Sequence, residues 1–124
     1  MIVGTGIDII EIDRIKKAIQ KQHFVTRVFT EKEIAYCKSR GSQTAASFAA
    51  RFAGKEAVLK AFGTGLIGGS LLDIEILPDS FGCPKVTLYR YYADQAKVLK
   101  LKEIHLSLSH ARCYATAQAI FWRD

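Results

Sequence analysis

The chain has 124 residues, 49% of them hydrophobic, and carries 18 lysines and arginines against 12 acidic residues, a formal charge of +6. That size fits one domain over residues 1–124 with a modest core, and the charge suits an anionic partner: nucleic acid, a phosphorylated small molecule or an acidic protein. Cys37, Cys83 and Cys113 are odd in number and far apart, which excludes a disulfide framework and a zinc pattern; with no signal segment and no apolar run of membrane-spanning length, a reducing, cytoplasmic location is expected.

Residues 2 to 10 read as a buried strand built on Ile2, Val3, Ile7, Ile9 and Ile10. Asp8 interrupts it, and by alternation it either points outward or presents a carboxylate on a rigid strand. Glu11 to Gln22 reads as an amphipathic helix with Ile12, Ile15 and Ile19 inward. Arg14, Lys17 and Lys21 line another face, as a solvated row or a docking ridge for an acidic partner. Phe24 to Phe29 is apolar and irregular. Thr30-Glu31-Lys32-Glu33 is a capping box that opens a helix to about Lys38, with Glu33 as the capping acid.

A central helix is expected from Ser42–Thr44 to Gly63. At 100° per residue Ala45, Phe48, Phe52, Leu59 and Phe62 share a stripe, with Lys55 inside it and Glu56 on its edge. Charges there are costly unless partnered or placed at a cleft. The bland alternative is a solvated helix with i,i+4 pairings from Arg51 to Lys55 and from Glu56 to Lys60. A glycine-rich loop follows from Gly63 to Ser70. Leu71 to Leu77 alternates as a half-buried strand, with Asp73 and Glu75 outward. A second strand is expected from Lys85 to about Tyr89, then a helix from Arg90 to Lys100. Ile104, Leu106 and Leu108 alternate with His105, Ser107 and Ser109, and Ala115, Ala117 and Ala119 share a face after the turn at His110 to Cys113, which predicts a terminal hairpin.

Asp8 and Glu56 supply the oxygen ligands that Mg²⁺ prefers, and that ion commonly takes only one or two carboxylates, completing its shell with water and phosphate. Arg51, Lys55, Lys60 and His110 could neutralise phosphate oxygens, and Gly63-Thr64-Gly65 lets backbone approach a ligand. These parts suit phosphoryl chemistry on a diphosphate. There is no P-loop signature.

Three segments resemble the bacterial-type 4′-phosphopantetheinyl transferases, the holo-[acyl-carrier-protein] synthases. They are Gly6-Ile7-Asp8-Ile9-Ile10-Glu11-Ile12 with Arg14-Ile15; Arg51-Phe52-Ala53-Gly54-Lys55-Glu56-Ala57 with Lys60-Ala61 and Gly63-Thr64-Gly65; and His105-Leu106-Ser107-Leu108-Ser109-His110 with Tyr114-Ala115. Phe29 to Glu33 is a weaker fourth match, and Gly54 stands where alanine is frequent. The resemblance implies an α+β fold, a small antiparallel sheet packed with a long central helix and shorter helices. It implies Mg²⁺-dependent transfer of phosphopantetheine from coenzyme A to a serine of an apo acyl carrier protein, releasing adenosine 3′,5′-bisphosphate, in support of fatty acid biosynthesis. Asp8 and Glu56 would ligate the metal and Lys60 would meet the diphosphate; these three would be the catalytic set. Arg51, Lys55, Gly63, Thr64, Gly65, Ser109 and His110 would surround coenzyme A. Arg14, Lys17 and Lys21 would meet the acidic carrier. A homotrimer with active sites between subunits is implied as well. The general base stays open among water on the metal, Glu56 and Asp8. Two other readings compete: a non-catalytic binder of coenzyme A or an acidic protein, and an RNA-binding domain suggested by charge alone, which lacks a glycine-aromatic strand motif. Neither nucleic acid nor membrane is an expected partner.

Overall fold

The predicted terminal hairpin forms and becomes two-thirds of a three-stranded sheet in a computed structural model that describes residues 1–124. In chain order the elements are β1 (Ile2–Glu11), α1 (Ile12–Ala18), α2 (Gln22–Val28), α3 (Glu31–Lys38), α4 (Thr44–Phe62), β2 (Ile74–Pro78), β3 (Pro84–Leu88), α5 (Arg90–Val98), β4 (Glu103–His110) and β5 (Tyr114–Trp122). The sheet order is β1-β5-β4, antiparallel throughout, and β2-β3 form a separate antiparallel pair. The fold is α+β, as expected.

The sheet lies with one face on α4. The inward row of β5 is Ala115, Ala117, Ala119 and Phe121, all buried. Small residues there let the helix come close, and β1 takes this further. A Cβ on Gly4 or Gly6 would lie inside the van der Waals shell of the Ala61 or Ala57 carbonyl oxygen. Backbone therefore meets backbone where β1 crosses α4, which only glycine permits. The helix is buried on nearly every side, as a core helix is; Lys60 is its exposed exception among the buried run from Ala46 to Ala61, with Phe52 and Glu56 half-buried. It ends where expected, at Gly63 in the left-handed region with φ 81°. Gly54 also has a packing reason: a Cβ there would meet Ile76 Cδ1 at 2.6 Å and Leu108 Cδ2 at 3.2 Å, so glycine seats β2 and β4 against the helix.

Several local expectations need correction. The helix expected over residues 11–22 stops at Ala18, and the stretch from Phe24 to Phe29 is not irregular but mostly helical, as α2. Its Phe24 and Phe29 rings pack on Phe52 and Phe48 of α4, and that tertiary contact fixes a helix too short to hold alone. Leu71–Asp73 is a 3₁₀ turn before β2, and Asp73 and Glu75 are buried rather than outward. Both carboxylates have partners. Asp73 takes Arg90 Nε at 2.6 Å and the Ser70 N–H at 3.0 Å; Glu75 takes the Thr30 hydroxyl at 2.6 Å and the Tyr89 hydroxyl at 3.0 Å.

Candidate active site

Strand alternation gives β1 two faces, and the cover of α4 decides which is inside. Gly4, Gly6 and Ile10 face the helix, and Asp8 shares their parity, with only 17% of its side chain exposed. Ile7 and Ile9 are the outward residues, 68% and 60% exposed. The outward reading of Asp8 is therefore corrected: the charge faces the helix and the isoleucines face away.

Asp8 meets α4 at Lys60. The Lys60 ammonium donates to the Ile7 carbonyl at 2.9 Å and to Asp8 Oδ1 at 3.2 Å, and stays 55% exposed. Glu56, one turn earlier on the same helix, makes neither a hydrogen bond nor an ion pair within the chain, so the pairing of Glu56 with Lys60 does not form. Burial pushes the Glu56 carboxyl pKa up, the Asp8 charge pushes it further, and Lys60 opposes both. The strand and helix thus bring Asp8, Glu56 and Lys60 together, two carboxylates beside one cation. A hollow of about 290 Å³ lined by Thr5, Gly6, Ile7, Lys60 and Gln118 opens beside the ammonium.

These groups fit a hard divalent cation. The donors are oxygens, one carboxylate lacks any partner, and the two raise each other's energy in the way that a cation would relieve. The chain offers no cluster of three or more metal-ligating side chains. A site of two carboxylates leaves the rest of an octahedral shell to water and a substrate's phosphates, as Mg²⁺ commonly takes.

The remaining expected residues do not all meet there. Lys55 is fully buried, and its ammonium is paired with Glu33 at 2.8 Å, so its expected place against coenzyme A phosphates is corrected to an internal one. Sequence reading assigned Glu33 its capping role, which it does fulfil toward Thr30, but missed this partner. Arg51 lies on the same side of α4 as Lys55, with its guanidinium 4.5 Å from the centre of the Tyr36 ring and its buried Nε unpartnered; it pairs with no phosphate-facing group of this chain and stands away from Glu56. Gly63, Thr64 and Gly65 are exposed at the helix exit, open to a ligand. Ser109 pairs in register with Thr116, and Thr116 with Ile9, which puts Ser109 on the outer face, opposite Asp8. His110 ends β4, exposed. Arg14 and Lys17 are exposed on α1, but Lys21 sits at the joint before α2, so the basic ridge spans two short helices.

In class this is an α+β fold with an oxygen-donor pair and a solvent-exposed lysine beside it, the equipment of an enzyme that handles phosphorylated ligands. The chain belongs to the 4′-phosphopantetheinyl transferase superfamily, whose family model matches residues 4–118. Curated relatives include the holo-[acyl-carrier-protein] synthases of Fusobacterium nucleatum, 45% identical over 97% of this chain and 98% of that protein, and of Clostridium tetani, 49% identical over 97% and 95%. Among solved structures, the holo-(acyl-carrier-protein) synthase of Bacillus anthracis in complex with CoA (3′,5′-ADP) matches at a TM-score of 0.81 with 40% identity, covering 98% of this chain and 96% of that one. That of Neisseria meningitidis matches at 0.91 with 29% identity, covering 99% and 100%.

Proposed function

We propose that the chain, as a single transferase domain, moves the 4′-phosphopantetheine group from coenzyme A to a serine hydroxyl of an apo acyl carrier protein and releases adenosine 3′,5′-bisphosphate. The observation that supports this is the crossing of β1 and α4, where the Lys60 ammonium meets Asp8 and Glu56 lies one turn back along the helix, within reach of both charges. Asp8 and Glu56 hold a divalent cation, taken as Mg²⁺, which when bound offsets negative charge on the diphosphate. Lys60 keeps its ammonium in solvent while Asp8 and the Ile7 carbonyl fix its direction, so a phosphate oxygen can take its remaining proton. Gly63, Thr64 and Gly65 bring backbone up to coenzyme A, while the buried guanidinium of Arg51 stays against the Tyr36 ring, away from Glu56. Arg14, Lys17 and Lys21 present positive charge to the carrier. Its service in fatty acid biosynthesis and a cytoplasmic location complete the reading; no helix is long and apolar enough to cross a membrane.

The test is incubation with coenzyme A, Mg²⁺ and apo carrier protein. The carrier should gain the mass of one phosphopantetheine, and its KM should rise as salt screens the basic ridge, within the ~10 Å reach of exposed charges at 0.1 M. No mass gain on any carrier from the same cell would overturn the activity; a KM indifferent to salt would remove the ridge.

The outer face of the sheet supports a homotrimer with sites between subunits. Ile7, Ile9, Tyr114 and Trp122 stand exposed on it, apolar surface that a small domain gains by covering. Ser109 shares that face, so a second copy would meet it there. Sedimentation equilibrium should give three chain masses, and a monomer at micromolar concentration would sink the assembly.

A further inference from the structure

Lys55 and Glu56 are neighbours on α4 that face different sides. Lys55 points toward α3 and β2, fully buried. An ammonium has three protons to donate, and all are used: Glu33 Oε1 at 2.8 Å, the Leu71 carbonyl at 2.8 Å and the Ile74 carbonyl at 2.6 Å. Glu33 is engaged at both oxygens, accepting the Thr30 N–H at 2.9 Å and the Ile76 N–H at 2.8 Å. One ion pair therefore joins α3, α4, the turn at Leu71–Asp73 and the start of β2.

Stability alone does not call for this arrangement. Apolar residues of similar volume often serve a core as well as a buried ion pair, because both charges lose their water. Burial pulls the Lys55 ammonium pKa down, and Glu33 opposes it. An apolar side chain cannot hold two chosen carbonyls in place, and removing the lysine leaves those carbonyls without their donor.

Those carbonyls close the segment that leaves α4 at Gly63. Its start is tied to the helix by the Gly63 N–H, which donates to the Leu59 and Lys60 carbonyls at 3.2 and 3.0 Å. Its end is tied to the same helix, two turns earlier, by Lys55. Between the ties, the Tyr92 hydroxyl donates to the Gly65 carbonyl at 3.2 Å and the rings of Tyr91 and Tyr92 lie against Gly68 and Gly69. Leu66 and Ile67 remain exposed. Part of this segment also walls a cavity of about 560 Å³, with Lys21 and Arg27 on the other side.

We propose that Glu33 and Lys55 are positioning residues: a buried clamp that holds the segment from Gly63 to Asp73 at the height coenzyme A requires, and so sets coenzyme A affinity without touching the reacting atoms. This rests on the transferase reading for the identity of the ligand. The test compares wild type, Lys55→Met and the double variant Glu33→Gln/Lys55→Met, the last so that no unpaired carboxylate is left in the core. Coenzyme A binding is read by calorimetry, turnover by carrier mass shift and backbone order by hydrogen exchange. The clamp predicts a coenzyme A Kd and KM raised about tenfold or more, with kcat at saturation and the carrier KM within about threefold. Exchange should quicken over residues 63–73 and stay slow in β1, β4 and β5. In wild type, coenzyme A should slow exchange in that same segment. Unchanged affinity in a folded double variant, a parallel loss of kcat and sheet protection, unfolding of both variants, or no effect of coenzyme A on wild-type exchange there would each overturn the clamp. A wild-type chain that binds coenzyme A tightly but never modifies a carrier would overturn the transferase reading instead, while the affinity and exchange results would still judge the clamp.

Discussion

Glu56→Gln is expected to leave a folded protein whose transfer rate, at saturating coenzyme A and ordinary Mg²⁺, falls by at least about 100-fold. The structure separates these two effects. Glu56 makes no hydrogen bond and no ion pair inside the chain, so the amide, equal in size, breaks nothing. It also removes a negative charge that burial and Asp8 both disfavour. Without metal, the variant should therefore melt no lower than wild type. With Mg²⁺ the order should reverse, because an ion that binds only the folded state raises stability by mass action, and only the wild type keeps both carboxylates. Thermal melts with and without Mg²⁺, beside the carrier mass-shift assay, check both halves. Wild-type turnover in the variant would make Glu56 a bystander on the helix. A metal-free melt far below wild type would show that the carboxylate has an internal partner.

What the sequence disclosed follows the range of the interactions. The capping box at Thr30 and Glu33, the exit of α4 at Gly63 and the two faces of β4 and β5 all depend on neighbours in the chain, and each was legible. Alternation along β1 defined two faces without saying which was covered. Asp8 could be placed only once α4 was seen to lie on the face of Gly4 and Gly6. The stripe along α4 misled for a related reason. A helix buried on almost every side has no polar face to mark its outside, so Lys55 and Glu56 read as neighbours in one site when they face different neighbours, Lys55 toward Glu33 and Glu56 toward Asp8. Glu33 and Lys55 are 22 residues apart, and Thr30 and Glu75 are 45 apart. No local pattern records such pairs. Asp73 and Glu75 looked outward because acidic residues seldom lie fully buried unless paired, and their partners come from α5, the Tyr89 hydroxyl and the Thr30 hydroxyl. Asp8 and Glu56 as oxygen donors and Lys60 as a phosphate partner were legible from residue chemistry, and the resemblance joined them into one catalytic set; their proximity is a product of the strand–helix crossing.

Gly6→Ala should test that crossing directly and cost the fold about 3 kcal/mol or more, at the upper end of what overpacking does. The added methyl would press on the Ala57 carbonyl oxygen, a main-chain atom in mid-helix that has no rotamer to escape into. Relief requires β1 and α4 to move apart, and with them the Asp8 carboxylate and the Lys60 ammonium, now 3.2 Å apart. At this chain length the loss corresponds to a Tm lower by roughly 10 °C or more, measured at one fixed protein concentration because assembly would contribute to stability. Thr5→Ala is the control: its side chain is exposed on the same strand, so its melt should stay within about 0.5 kcal/mol of wild type. Transfer should fall with Gly6→Ala even where the variant remains folded, because the charged groups separate before the strand detaches. A Gly6→Ala protein that melts and turns over like wild type would mean that β1 does not press on α4, and the carboxylate pair would lose the contact that brings it together.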